Sequence, residues 1–433
     1  MLAAPSLHGK RFAVYGLARS GLSALGFLQR SGAEAVAWDE ADAAREKARA
    51  AFPGLQLQDF AGLDLASVDG LVVSPGVPLN RHPLAARARA AGTPILGDME
   101  LWQLARGTLP AHRLVGITGT NGKSTTTALI HHLLEQAGVT ARLGGNIGLP
   151  VLDTEPLPEG GVYVVELSSY QIDLAQTLAA DIAIYTNLTP DHLDRYDGMA
   201  GYAASKARLF AMQKPGAHAV IATDDAYTSA AAAGLPAGIQ LVEVHAADID
   251  PAAQARWPAL QGPHNAQNVA CAVAAVRILG LADAQIEAGL RSFPGLAHRM
   301  EIVRTARGVR YVNDSKATNP TSAAPALQAF ADVHWILGGL AKTAELDACL
   351  PHLSHVKAAY VIGEAAPLFE TILSPHLPVT NAGTLAVAVD AAAAAAVAGD
   401  TVLLSPACAS FDQFSDFEAR GAAFRDLVKG LPA

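Results

Sequence analysis

Leu114-Val-Gly-Ile-Thr-Gly119-Thr-Asn-Gly-Lys-Ser-Thr125 runs straight into Thr126-Ala-Leu-Ile-His-His-Leu-Leu-Glu-Gln-Ala137 and then Gly138. The first stretch opens on a continuous apolar run, the pattern of a parallel strand buried on both faces. The last has the apolar spacing of an amphipathic helix, with Gly138 at a good C-cap position. Between them, Gly119, Thr120, Asn121 and Gly122 make a turn whose backbone N–H groups can face a phosphate, where the helix N-terminus adds partial positive charge. Lys123 can reach the β- and γ-phosphates, and the Ser124 hydroxyl can ligate Mg²⁺. The spacing departs from GxxxxGK[ST], because Ile117 stands where the first glycine belongs. A glycine-rich turn with a surface lysine is the plainer reading. The motif nevertheless has both its strand and its helix, so residues 119–125, ending at Thr125, are expected to bind a nucleotide. His131 and His132 read as exposed positions on the helix.

The same rhythm of apolar run, Gly- or Ser-bearing turn and helical pattern extends in both directions. Further runs occupy residues 11–15, 70–73, 162–165, 182–186, 219–222, 333–337, 359–362 and 401–404. Strands alternating with helices predict doubly wound α/β domains, with ligands beyond the carboxyl ends of the strands. At roughly 150 residues per domain, 433 residues suggest about three domains. Turn-rich passages at 105–111 and 293–296 divide the chain into residues 1–104, 105–296 and 297–433. The expected architecture is a Rossmann-like N-terminal domain, a central P-loop ATPase-type parallel sheet and a Rossmann-like C-terminal domain. A long helix is expected over 265–279, and the alanine run at 390–397 reads as a strong helix former.

Composition narrows the class. Lys and Arg number 31 against 40 Asp and Glu, a net charge of −9, which argues against a general basic surface gripping nucleic acid. Cys271, Cys349 and Cys408 lie far apart with no CxxC, which excludes a disulfide framework or zinc ribbon. The first dozen residues lack the apolar core of a signal peptide, and no apolar stretch approaches the roughly 20 residues a membrane span needs. A cytoplasmic protein is expected, without membrane insertion.

Later strand ends carry more chemistry. Glu166 ends the run at 162–165, well placed for a metal ion beside phosphates. Asp191-His192-Leu-Asp194 follows the run at 182–186. Either alone could be a solvated turn; after a phosphate loop, together they favour a metal-dependent phosphoryl site. At the N-terminus, Gly16-Leu-Ala18-Arg-Ser-Gly21 with Asp39 beyond approximates the dinucleotide fingerprint, although Ala18 replaces the middle glycine. That turn is compatible with NAD, with another nucleotide diphosphate, or with tight strand–helix packing alone. Ser74-Pro-Gly-Val-Pro78 is explicable as turn chemistry. In the last third, Lys316, Thr318, Lys342 and Ser410 are donors suited to a dicarboxylate, and Asp314 could hold a ribose. Cys408 lacks a base fixed nearby and reads as a small buried side chain. A nicotinamide dehydrogenase would leave the Lys123 loop unexplained, and a nucleotide-gated binding protein would not need the later lysines.

Taken in order, GTNGKST, GGNIGLP (144–150), ELSSYQ (166–171), NLTPDHLDRY (187–196), HNAQN (264–268), HR (298–299), NDSKATNP (313–320) and SPACASFDQF (405–414) resemble the Mur ligase family. The resemblance covers essentially the whole chain. DSKATN and SPACASFDQF point to the branch that adds D-glutamate to UDP-N-acetylmuramoyl-L-alanine through an acyl phosphate. It implies an N-terminal domain for UDP, a central ATPase and a C-terminal domain for the amino acid, with ATP and two Mg²⁺ ions as cofactors and a monomeric enzyme. It assigns Leu17, Ser74, Pro75 and Gly76 to UDP or its pyrophosphate, and Asn146 and His192 to the muramoyl substrate. Lys123, Ser124 and Glu166 would hold the ATP phosphates and Mg²⁺, and Asn265, Asn268, Arg299 and Asp314 would contact ATP. Lys316, Thr318, Lys342, Ser410 and Phe417 would surround D-glutamate. Lys206, otherwise an ordinary helix lysine, matches a lysine that carries a carbamate and joins His192 near the metal. Lys123, His192, Lys206 and Arg299 are thereby the catalytic candidates. Glu40 after Asp39, and Leu340-Ala341 before Lys342, depart from the family pattern.

Overall fold

All the apolar runs become strands, because continuous burial on both faces is what such runs satisfy. The computed structural model describes residues 1–432. The chain forms two compact units, one of residues 1–249 with 267–290, the other of residues 250–266 with 291 onward.

The first unit holds two sheets. β1 (Arg11–Tyr15), β2 (Glu34–Trp38), β3 (Gln56–Leu57), β4 (Gly70–Val73) and β5 (Ile95–Leu96) form a parallel sheet in the order β3-β2-β1-β4-β5. The second sheet contains β6 (His112–Thr118), β7 (Ala141–Gly145), β8 (Gly161–Glu166), β9 (Ile182–Tyr185), β10 (His218–Ala222) and β11 (Gln240–Val244). Its order is β11-β10-β9-β6-β8-β7, again all parallel. One core joins the two sheets: the helix Asp98–Arg106 buries Met99, Leu101 and Trp102, and Trp102 meets Tyr163 of β8 edge-on at 5.2 Å. Arg106 then donates to Asp181 at 2.5 Å, and the same carboxylate oxygen accepts from the Leu114 amide at 2.7 Å, anchoring the start of β6.

The second unit is built on β12 (Glu301–Ala306), β13 (Val309–Asn313), β14 (Val333–Gly338), β15 (Val356–Ile362), β16 (Val379–Gly383) and β17 (Thr401–Leu404), ordered β12-β13-β17-β14-β15-β16. It is a mixed sheet, because β12 and β13 pair antiparallel. The reason is local: Arg307 and Gly308 both have positive φ, 49° and 77°, and such a two-residue turn folds a strand back on its neighbour. The alanine run forms the end of the helix Leu385–Ala395, its last two residues lying beyond it, and the expected long helix is Pro263–Ile278. The three cysteines are buried and unpaired, with burial pushing each thiol up to about 12, so Cys408 is a packing residue. His131 and His132 are half-buried, not exposed. His131 pairs with Glu135 at 3.3 Å, and His132 bonds to the Gly289 backbone of the packed helix Asp283–Ser292. Among the described residues no helix is long and apolar enough to cross a membrane.

At the amino end of this sheet, buried His334 bridges the Tyr360 hydroxyl and the Asp400 carboxylate, each at 3.0 Å. Asp400→Ala strips the imidazole of one partner in a place water cannot reach, so the second unit should lose about 1–3 kcal/mol of stability. Hydrogen exchange of the β14 and β17 amides would read that loss. Exchange indistinguishable from the parent would show that the network does not hold the sheet.

Candidate active site

The middle of the phosphate loop is held by the two residues that follow β9. Thr120 N–H donates to the Asn187 carbonyl at 2.9 Å and Asn121 N–H to the Asn187 side chain at 2.9 Å, while the Thr186 hydroxyl donates to the Asn121 carbonyl at 2.7 Å. Glycine is obligatory at two places. A Cβ on Gly119 would stand 2.0 Å from Thr186 Oγ1, and one on Gly122 would stand 2.0 Å from Asn268 Oδ1. Gly122, at φ 80°, is the N-cap of the helix Lys123–Gln136, and a helix start of this kind can receive an anion. Lys123 Nζ folds back onto the carbonyls of Gly119 and Thr120, at 3.0 and 2.8 Å, at the loop it would serve. Asn268 accepts from the Thr126 hydroxyl at 3.3 Å, beside the same helix turn.

Next to this loop stand three ionisable groups: Glu166 and Lys206 are withdrawn from water, and His192 is exposed. Glu166 ends β8 with 2% exposure; its Oε1 accepts from Asn146 Nδ2 at 2.8 Å, and its Oε2 is buried without a hydrogen bond. Lys206, on the helix Gly198–Ala211, is 1% exposed, with Nζ 2.7 Å from the Gly119 carbonyl and 4.7 Å from the Tyr202 ring. Burial first, and then the Lys123 charge, hold Lys206 well below the ordinary ammonium range, while Asp191, Glu166 and Asp173 act the other way. His192 has φ 53°, lies 3.5 Å from Asp191 and packs 5.1 Å from the Tyr170 ring. Partial desolvation lowers its pKa against the pull of Asp191, toward the neutral form that can ligate a metal. Among the described residues no three His, Cys, Asp or Glu side chains gather as a metal cage. A single buried carboxylate with an unused oxygen beside a phosphate loop suits Mg²⁺, which is usually held by one or two carboxylates plus phosphates and waters.

A cleft of about 360 Å³ opens between the carboxyl ends of β1 and β4 and the β7 turn, lined by Gly16, Ser74, Pro75, Gly76 and Asn146 among others. Ser74 Oγ donates to the Gly16 carbonyl at 2.7 Å, and Asp39 accepts from the amides of Leu17 and Ala41 at 2.7 and 2.9 Å. The acid that completes the dinucleotide-like fingerprint therefore pins the turn. Leu17 itself is buried with its amide engaged, and His192 does not line the cleft. Glu40 accepts from the Tyr15 hydroxyl at 2.7 Å. Arg195 stacks 4.1 Å over Tyr170 and donates to the carbonyls of Gly76 and Val77 at 3.2 and 2.8 Å, clamping the 74–78 turn.

In the second unit the ends of β13, β14 and β17 converge. Asp314 accepts from Ser405 Oγ at 2.8 Å and from the Met300 amide at 3.2 Å; burial nevertheless pushes its carboxyl up to about 7, with those bonds and Arg299 opposing. Lys316 Nζ sits 3.9 Å over the Phe417 ring, Lys342 donates to the Thr318 hydroxyl at 3.3 Å, and Ser410 is buried. Asn265 donates to the Gln261 carbonyl at 3.0 Å.

Family models match three stretches of the chain: a Mur ligase MurD-like N-terminal domain at 10–97, a Mur ligase middle domain at 117–253 and a Mur ligase glutamate ligase domain at 298–408. The UDP-N-acetylmuramoylalanine--D-glutamate ligase of Novosphingobium aromaticivorans is 58% identical over 435 residues, covering 100% of this chain and 97% of that one. The chain belongs to the Mur ligase family. The ligase of the same name from Zymomonas mobilis is 49% identical, with both chains covered end to end. Among solved structures, the UDP-N-acetylmuramate-alanine ligase of Thermotoga maritima aligns with a TM-score of 0.57 at 16% identity, over 98% of this chain and 99% of that one. At that identity the likeness speaks for the fold alone.

Within this Mur ligase, the first unit gathers residues 119–125, Glu166, Lys206 and Asn268 around one loop and sets Ser74, Pro75, Gly76 and Asn146 along one cleft. The second unit pairs Lys316 with Phe417 and Lys342 with Thr318, buries Ser410, and separately holds Asn265, Arg299 and Asp314. Sequence reasoning gave no role to Thr186, Asn187 or Arg195, although Asn187 and Arg195 lie inside the NLTPDHLDRY motif. Their work is to hold backbone, which leaves no compositional mark. Gly122→Ala forces a side chain onto Asn268 in a left-handed conformation. It should weaken binding of a fluorescent ATP analogue by about tenfold or more, with the helix content kept. Unchanged affinity would remove the loop from the nucleotide site.

Proposed function

We propose that this chain ligates D-glutamate to UDP-N-acetylmuramoyl-L-alanine with cleavage of ATP to ADP and phosphate, a step of peptidoglycan precursor synthesis, acting as a monomer in the cytoplasm. The observation that carries the reading is full-length identity of 58% to a ligase of that name. The geometry supports the chemistry. The alanyl carboxylate attacks the γ-phosphate, ADP leaves, and the glutamate amine displaces phosphate from the resulting acyl phosphate. Carboxylate and phosphate are both anions, and two unit charges 4 Å apart repel by about 1 kcal/mol in water and about 4 at an effective dielectric of 20. Lys123 and the helix N-terminus behind it are the groups of the first unit that offset this repulsion. Glu166 and Ser124 would hold Mg²⁺, which supplies further positive charge to the phosphates when bound. The ATP contacts of Asn265, Asn268, Arg299 and Asp314, the UDP contacts of Leu17, Ser74, Pro75, Gly76 and Asn146, and the role of His192 are proposed on the family resemblance.

The test is phosphate release. It should require ATP, UDP-N-acetylmuramoyl-L-alanine and D-glutamate together, fall by orders of magnitude in Lys123→Ala, and fail with L-glutamate, glycine or meso-diaminopimelate. Preference for any of those three amino acids would overturn the substrate assignment.

Lys206 enters this reading as a carbamate. A buried amine held below its usual ammonium range is largely able to shed its proton, add CO₂ at Nζ and release the proton to solvent, turning a misplaced cation into an anion. Carbamate oxygens are hard ligands suited to Mg²⁺, alongside His192. Lys206→Ala should lose most activity, and acetate should restore part of it by filling the vacated space. Lys206→Arg should resist rescue, because a fixed cation occupies that space. Full activity of Lys206→Ala in CO₂-depleted buffer would end the carbamate assignment.

A further inference from the structure

Three segments of the second unit carry the acceptor-side donors, and all three close on a residue that none of the roles above uses. Arg420, on the helix Phe417–Gly430, is 1% exposed. Its Nε donates to Ser315 Oγ at 3.0 Å; Nη2 donates to the carbonyls of Ser315 and Cys408 at 2.9 and 3.0 Å; Nη1 faces the carbonyls of Ala409 and Gly338 at 3.3 and 3.5 Å. Ser315 precedes Lys316, Ala409 precedes Ser410, and Gly338 ends the strand that leads to Lys342. Every one of these acceptors is neutral. Asp412 acts on the guanidinium only through space, and burial pushes its pKa down to about 10, which leaves it charged at neutral pH.

A buried cation without a hydrogen-bonded carboxylate is costly, and an apolar side chain would fill the same volume more cheaply for the fold. The arrangement makes sense as part of a site. Five N–H groups in one rigid plane can meet backbone from three strand ends at once, which a lysine cannot do. Four carbonyls drawn onto the guanidinium cannot point their partial negative charge at an incoming anion. The charge they surround adds to that of Lys316 and Lys342.

We propose that Arg420 is the positioning residue of the amino-acid pocket: it locks the segments at Ser315, Gly338 and Cys408–Ala409 in mutual register and biases the pocket toward a dicarboxylate. The proposal rests on the D-glutamate reading above.

Arg420→Lys and Arg420→Met test it through Michaelis constants for all three substrates. Arg420→Lys should raise KM for D-glutamate about tenfold or more and leave KM for ATP and the UDP-substrate within about twofold; Arg420→Met, which also loses the charge, should raise it further. A proportional rise in all three constants, or a fall in kcat alone, would make Arg420 a structural prop and overturn the proposal. If either variant fails to fold, Ser315→Ala carries the test, because it removes the Nε acceptor and keeps the guanidinium. It should raise the glutamate KM several-fold with the other two constants unmoved, and an unchanged glutamate KM would sink the idea. The parent enzyme separates the two levels of inference: no turnover with D-glutamate defeats the substrate reading, whereas normal turnover with no glutamate-specific effect in the variants defeats only the role of Arg420.

Discussion

Register between β6 and its two neighbours sets where the functional groups of the first unit can stand. Ile117 pairs with Glu166 on one side and Thr118 with Tyr185 on the other, so the phosphate loop, the buried carboxylate and the Thr186–Asn187 latch all emerge at one end of the sheet. A parallel sheet delivers every carboxyl end to the same edge, and the strand order places β7 and β8 on one side of β6 and β9 on the other. Slipping either pair by one residue would turn Glu166 or the latch into the opposite face. The tight approach of Gly119 to Thr186 follows from that register.

Charges withdrawn from water mark both units. In the first, Glu166 keeps an unsatisfied oxygen and Lys206 lies beneath the loop against the Tyr202 ring. In the second, Arg420 is surrounded by neutral acceptors and Asp314 is pushed toward neutrality. None of these is a natural choice for stability, since desolvating a charge costs several kcal/mol unless good partners offset it. The roles proposed for these groups give such burial a use, because groups held rigidly in a dry environment act on reacting charges more strongly than solvated ones. The surrounding apolar strands, buried on both faces, supply the stability that allows it.

Backbone-holding residues form a second layer of the same arrangement. Arg195 clamps the 74–78 turn, Asp39 pins the first glycine turn, and Asn187 latches the phosphate loop. Each uses a polar side chain to satisfy amides or carbonyls that strand ends leave open. A loop that must present its backbone to a ligand cannot rely on regular ladders, so side chains from neighbouring loops take over.

The apolar runs, the glycine loop with its helix, and the acids at strand ends were legible in the chain because each is local. A strand buried on both faces needs an unbroken apolar run, and a phosphate turn needs glycine at set positions. The edge strands β3, β5, β7, β11, β12 and β16 were not, since they are very short or their half-solvated positions carry no such run. The hairpin of β12 and β13 escaped because Arg307-Gly308 is a weaker turn signal than Asn-Gly. Lys206, apart from the family resemblance, looked like any lysine on a helix, and nothing in the chain singled out Arg420. Helical spacing shows which residues share a face, and only packing decides which face is sealed from water. The sequence by itself determined the alternation of strands and helices and the chemistry at strand ends; tertiary structure alone decided which charges are buried and which backbones they hold, because burial depends on distant segments that no local pattern encodes.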